Sequence, residues 1–97
     1  MNIYDYITPQ SGETFTTLLE QKNIKINRIV SSDTLDAKVY RQEEDEWLVL
    51  LEGEATLLLN DEEKKLIKGE TLFIPSNTPH RVLNTQSGTL WLTVHIF

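Results

Sequence analysis

The sequence predicts an all-β fold, either a small sandwich or a barrel. Short runs of apolar and β-branched residues recur through most of the chain, and turns rich in Gly, Pro, Asn and Asp separate them. Only one stretch has the spacing of an amphipathic helix. Closely spaced strands with almost no helix are typical of sandwiches and barrels. A chain of 97 residues can bury one hydrophobic core, so we expect a single domain over residues 1–97.

Residues 1–23 predict an extension that precedes the main series of strands. Residues 3–7 alternate in the manner of a short edge strand. Residues 11–22 predict one short N-terminal helix, because apolar side chains recur there at helical spacing. The apolar face of this helix would consist of Phe15, Leu18 and Leu19. Its threonines have low helix propensity, so we expect packing of that face to stabilise it.

Residues 24–97 predict the series of strands that would form the sandwich or barrel. Strands are expected at residues 24–30, 37–42, 47–51, 55–59, 64–67, 71–74, 81–83 and 89–97. The strand at 47–51 is apolar on both faces, which predicts cover on both sides. Residues 60–63 predict a solvated hairpin turn between two of these strands.

The last strand has two distinct faces. The aliphatic face consists of Leu90, Leu92, Val94 and Ile96. Because residues two apart share a face, His95 lies on the other face with Trp91. We expect the aliphatic face to point into the barrel, and His95 to lie at the surface or at a subunit contact. Trp47 and Trp91 are expected to serve as packing residues rather than as platforms for a ligand.

Composition excludes several functional classes. Fifteen acidic and nine basic residues give a net charge of −6, with no basic stripe that could neutralise a phosphate backbone, so we expect no nucleic-acid partner. The absence of cysteine excludes disulfides, thiolate ligands and a cysteine nucleophile. No apolar run approaches the length of a membrane span, and no leader pattern opens the chain. We therefore expect a cytoplasmic protein without a membrane partner.

The spacing of residues 69–84 carries the strongest motif in the chain. Gly69, Pro75, Asn77, His80 and Asn84 are separated by five, one, two and three residues. This pattern resembles the second conserved motif of the cupin superfamily, with Asn77 at the position of its inner glycine. Asparagine tolerates the left-handed backbone conformation that such a turn position needs, so the substitution is physically mild.

A second segment resembles the first cupin motif in part. Glu46 and Gly53 have the spacing of its second half, but Tyr40 and Gln42 occupy the positions of its two histidines. The resemblance covers residues 24–97 and implies a cupin-type β-barrel, a double-stranded β-helix or jelly roll. It also implies that the side chains of Tyr40, Gln42, Glu46 and His80 converge in one pocket at the mouth of the barrel. The other acids of the 43–46 run are expected to be at the surface.

The implied pocket leaves two functional classes open. In one, a small polar metabolite binds in a pocket whose metal site is degenerate. In the alternative, the protein is a metal-dependent cupin enzyme of the dioxygenase or isomerase type, with His80 and Glu46 as ligands or as acid and base. The metal ligands would be His80, Glu46 and Gln42, and this oxygen-rich set could hold manganese, iron, nickel or zinc only modestly. Limited core size, the cupin resemblance and an apolar final strand together suggest a homodimer, joined through strand edges or sheet faces.

Overall fold

The computed structural model describes residues 1–36 and 38–97 and consists of β-strands joined by turns. Eight strands are present in the described residues: β1 Glu13–Gln21, β2 Ile24–Ser31, β3 Asp45–Glu52, β4 Glu54–Leu59, β5 Glu62–Ile67, β6 Thr71–Ile74, β7 His80–Thr85 and β8 Thr89–Ile96. The all-β prediction is confirmed. The strand predictions from residue 45 onward agree with the observed strands to within three residues at each end.

The strands form two antiparallel sheets that enclose the core. The five-stranded sheet has the order β1-β2-β8-β3-β6, and the three-stranded sheet has the order β5-β4-β7. The last strand lies in the middle of the larger sheet, between β2 and β3. Buried side chains of both sheets pack together in a cluster of Leu48, Leu50, Ala55, Leu57, Leu66, Ile74 and Trp91. Interdigitated inner faces of this kind are expected for a β-sandwich or jelly roll.

The predicted N-terminal helix is wrong, because residues 13–21 form strand β1. This strand pairs with β2 from Glu13 opposite Ser31 to Gln21 opposite Ile24. A connection of two residues joins the strands, and Lys22 adopts a φ of 54° there. β-branched threonines favour a strand over a helix, and the whole hydrogen-bonded ladder outweighs the few contacts of a short amphipathic helix. The helical spacing of three apolar residues was therefore misleading.

Two other strand predictions also need correction. Residues 3–7 contain a turn and no strand. Within the predicted strand at 37–42, Ala37 lies outside the described residues, and residues 38–42 make only one isolated bridge, between Tyr40 and His80. The N-terminal segment instead lies against the larger sheet. Arg28 Nη1 donates hydrogen bonds to the carbonyls of Ile3 (3.4 Å) and Asp5 (3.0 Å).

Tight turns account for the sharp reversals between strands. The predicted hairpin at 60–63 is confirmed but is tighter, since Asn60 and Asp61 turn with φ values of 49° and 69° and β5 begins at the next residue. Two residues with positive φ are the signature of a type I′ hairpin. Gly53 also has a positive φ of 89°, and a Cβ atom there would lie 2.8 Å from the Cα of Thr89. Only glycine fits this approach of two backbones.

A bulge between β4 and β7 changes which residues of β7 face inward. Thr56 pairs with Asn84 and Leu57 pairs with Val82, so one extra residue is inserted in β7. The alternation of faces is reset at such a bulge. His80 is therefore buried whereas Asn84 is exposed, although the two residues are an even number of positions apart on one strand. Among the described residues, no helix is long and apolar enough to cross a membrane.

Candidate functional site

A cavity of about 210 Å³ lies between the two sheets, and residues of both sheets line it. Its apolar wall consists of Phe15, Ile29, Leu48, Leu57, Ile74, Val82 and Trp91. Polar side chains from β1, β2, β3, β7 and β8 and from the segment between β2 and β3 complete the lining. Concave, mainly apolar cavities with a few convergent polar groups are the usual form of a small-molecule site, and this one is below the roughly 300 Å³ of common drug-sized pockets.

His80 is fixed at the start of β7 by three hydrogen bonds. Its backbone N–H donates to the Tyr40 carbonyl (2.9 Å), and the Tyr40 N–H donates back to the His80 carbonyl (2.7 Å). The two rings stack with centroids 6.0 Å apart. His80 Nδ1 lies 2.9 Å from the carbonyl oxygen of Thr78. Because a carbonyl only accepts, Nδ1 carries a proton, and in the tautomer that this contact selects Nε2 is the acceptor.

The turn that precedes His80 depends on Asn77. Asn77 has a φ of 59°, so the prediction that asparagine adopts the left-handed conformation at this motif position is confirmed. Its backbone N–H donates to the Gln42 carbonyl at 2.7 Å, and the Ser76 N–H donates to Asp45 Oδ1 at 2.8 Å. These bonds join the turn to the segment that carries Gln42 and to the start of β3.

Gln42 and Glu46 are hydrogen-bonded to each other beside the cavity. Gln42 Nε2 donates to Glu46 Oε1 at 2.8 Å. The amide nitrogen must face the carboxylate, because the opposite orientation would place two oxygens together. Glu46 is only 6% exposed. Its position follows from β3, where it shares the inward face with Leu48 and pairs with Ile74 of β6.

His95 lies in the cavity wall, so the expectation that it is at the surface is wrong. Its Nδ1 is 3.0 Å from Glu44 Oε2 and 3.9 Å from Glu46 Oε1, and its Nε2 is 3.3 Å from Thr93 Oγ1. Glu44 is also largely buried rather than on the surface, with 15% of its side chain exposed. The polar cluster is thus Gln42, Glu44, Glu46, Thr93 and His95. The inward face of β8 is therefore the face of Trp91, Thr93 and His95, and the aliphatic face points outward.

Glu13 is a cavity residue that the sequence reasoning missed. It lies on β1 and accepts a hydrogen bond from the Ser31 hydroxyl, which in turn accepts one from Trp91 Nε1 at 2.9 Å. Burial raises the pKa of the Glu13 carboxyl, and the bond from Ser31 partly opposes this. The misleading helical spacing concealed this residue. Alternation of residues 13–17 as a strand was the signal that could have revealed it.

Tyr40 is the fourth predicted pocket residue and lies at the edge of the cavity, 40% exposed. Its phenol has a raised pKa, caused first by burial and then by the negative charges of Glu13 and Asp36. The structure thus brings Tyr40, Gln42, Glu46 and His80 to one cavity, whereas Asn84 is outside it.

Comparison with known proteins agrees with the fold and the motif spacing. A sequence model of the family described as Cupin domain matches residues 31–96, which is more than half of the chain. The chain belongs to the cupin superfamily. A cupin superfamily protein of Desulfitobacterium hafniense has a similar structure, with a TM-score of 0.87 and 15% identity, and the match covers 98% of this chain and 86% of that one.

Two relatives are more similar in sequence. A solved structure from Ralstonia eutropha, described as a candidate mannose-6-phosphate isomerase, is 30% identical with a TM-score of 0.89, covering 99% of this cupin and 95% of that chain. An uncharacterised protein of Methanocaldococcus jannaschii is 40% identical over 55 residues. That match covers 57% of this cupin but only 42% of the relative, so it spans less than half of that protein.

The donor groups of this cupin do not fit a metal ion well. Within residues 1–36 and 38–97, no three His, Cys, Asp or Glu side chains are grouped so that they could hold one. Gln42 directs its amide nitrogen at Glu46, so the group beside the carboxylate is a hydrogen-bond donor and not the amide oxygen. Glu44 is paired with His95. The predicted ligand set of His80, Glu46 and Gln42 supplies at most one imidazole, one carboxylate and one weak amide oxygen, which is a poor site for a transition metal.

Proposed function

We propose that this cupin binds a small polar metabolite in the cavity between its sheets, without requiring a metal ion. The observation that supports this most strongly is the pairing of Gln42 with Glu46 beside an apolar cavity. At the two histidine positions of the first cupin motif, this chain has the phenol of Tyr40 and the amide of Gln42. The amide donates to the carboxylate and holds it in position, which suits recognition of a ligand by hydrogen bonds.

The second candidate is an isomerase, and the likeness to the Ralstonia eutropha protein favours it. His80 and Glu46 both line the cavity, and an imidazole beside a carboxylate can serve as base and acid in proton transfer. This activity is testable directly. Purified protein, with and without added manganese, iron, nickel or zinc, would be incubated with mannose 6-phosphate, and formation of the ketose isomer would be followed by NMR.

The binding proposal predicts that a small molecule is retained by the folded protein. Mass spectrometry of the molecules released from purified tag-free protein should identify one that is present in stoichiometric amount. The Val82→Trp variant should lack it, because the larger side chain fills the cavity from β7. Circular dichroism would check that this variant is folded. A wild-type protein that releases no molecule and binds none from a metabolite mixture would contradict the proposal.

Metal analysis separates the two candidates. We expect less than stoichiometric metal in the wild type after incubation with manganese, iron, nickel or zinc, and the same content in His80→Ala. Stoichiometric metal that disappears in His80→Ala would instead support the metal-dependent isomerase.

A further inference from the structure

Two acceptor atoms of cavity-lining residues accept no hydrogen bond from the described residues. His80 and Glu46 are 8% and 6% exposed, and both line the cavity. His80 Nδ1 is occupied by the Thr78 carbonyl and Glu46 Oε1 by Gln42, while no described residue donates to His80 Nε2 or Glu46 Oε2. Arg28 Nε is the one buried side-chain polar atom without a partner in the described part of the chain, so these two acceptors are open to the cavity, where a ligand can supply donors.

The charged side chains around the cavity also favour a ligand that donates hydrogen bonds, because they are mainly acidic. Glu13 and Glu46 both line it, and no lysine or arginine of the described residues does. Lys38 lines a neighbouring surface depression instead, with its Nζ 5.2 Å from the centre of the Tyr40 ring. Glu46 Oε1 lies 3.9 Å from His95 Nδ1, but His95 is shared with Glu44, so the carboxylates around the cavity outnumber their basic partners and an anionic ligand would add repulsion.

We propose that the ligand is a small organic cation, a primary amine or guanidine on a short apolar body, whose N–H groups donate to Glu46 Oε2 and His80 Nε2. This inference rests on the proposed function of the cavity as a small-molecule site and adds the ligand class. The charged head replaces the missing donors at both acceptors. The apolar body packs on the wall formed by Leu48, Ile74 and Val82.

Three matched compounds test the ligand class, namely benzylamine, benzyl alcohol and benzyl phosphate. They share one apolar body and differ only in a cationic, neutral or anionic head. Titrations at neutral pH would be followed by ¹⁵N NMR of the whole chain, which locates binding by residue. We expect benzylamine to shift the signals of cavity residues with a Kd at least about tenfold lower than that of benzyl alcohol, as for one charge-assisted hydrogen bond. Benzyl phosphate should leave those signals unshifted.

Charge-removing variants show whether the preference arises in the cavity. Glu46→Gln should lower the affinity for benzylamine to that for benzyl alcohol, while affinity for the alcohol changes less than about twofold. Glu63→Gln is the matched control, since Glu63 is exposed on β5 and outside the cavity lining. It removes the same charge from the protein and should retain the full preference. Comparable spectra of the two variants would show that both are folded.

The outcomes distinguish this inference from the broader proposal. Equal affinity for the amine and the alcohol, or tighter binding of the phosphate, would overturn the cationic ligand while leaving the cavity as a binding site. A preference for the amine that survives Glu46→Gln would also overturn it. If none of the three compounds shifts cavity signals, the ligand class is wrong, while the proposed function is still decided by the release of a retained molecule and by binding from the metabolite mixture.

Discussion

The two faces of the five-stranded sheet differ in polarity, and on β8 the face toward the cavity is the more polar one. On β8 the inward face carries Trp91, Thr93 and His95, whereas the outward face is aliphatic. Inward polar side chains are tolerated because they border a cavity and bond to one another, as Thr93 and His95 do. The comparison shows that the more apolar face of β8 is not the one that borders the cavity, although Leu90 on that face is fully buried.

The outward face has an apolar row that crosses all five strands. Cross-strand neighbours share a face, and the pairing connects Leu19, Ile26, Val94, Trp47 and Phe73 in succession. Leu19, Trp47 and Phe73 are 48%, 38% and 51% exposed. We propose that this outer row is where the homodimer predicted from the sequence forms, because exposed apolar patches mark contact surfaces.

Truncating one leucine on each face should give the largest difference in the free energy of unfolding between two variants. Leu50 is 0% exposed on β3, whereas Leu19 is 48% exposed in the outer row. Leu50→Ala should lower the free energy of unfolding by about 2–5 kcal/mol, since it leaves a void in the core. Leu19→Ala should change it by less than about 1 kcal/mol. Urea unfolding at low protein concentration measures both, and similar losses would contradict the assignment of the faces.

A charge in the outer row should weaken self-association. We expect Trp47→Asp to raise the dimer dissociation constant at least about tenfold, because a desolvated carboxylate in an apolar interface is unfavourable. Sedimentation over a range of concentrations measures this constant. Ile67→Asp is the control, since Ile67 is 57% exposed on the other sheet. A wild type that remains monomeric at every concentration would refute the homodimer.

The smallest expected effect concerns the pH dependence of Glu13 on the inward side. Burial raises its pKa above the ordinary 4.5, so the folded state binds this proton more tightly than the unfolded state. The wild type therefore loses stability as the pH rises through the raised pKa, while a glutamine does not titrate. At neutral pH we expect Glu13→Gln to have a Tm higher than that of the wild type by a few degrees at most.

The Tm difference should disappear well below pH 4.5, where the wild-type carboxyl is protonated in both states. Glu20→Gln, an exposed change on the same strand, is the control and should show no such dependence. A Tm difference that is independent of pH would show that Glu13 acts through packing alone.

Much of this protein could be predicted from local sequence. The period-two pattern and the turn residues located the strands from residue 45 onward, because strand ends are set by nearby Gly, Pro and Asn. Motif spacing indicated the superfamily and the residues around the cavity, since Glu46 and His80 occupy fixed positions relative to turns. The left-handed turn at Asn77 was equally local, because it depends on the tolerance of one residue type.

Only the tertiary structure decided which face of each strand is inside. The alternation of side chains divides β8 into two faces but does not indicate which face points inward. Pairing with the neighbouring strands β2 and β3 decided this. Pairing with β2 likewise made a strand of residues 13–21, which brought Glu13 to the cavity. The bulge in β7 separated His80 from Asn84. Each of these outcomes depends on hydrogen bonds between strands distant in sequence, which no local pattern contains.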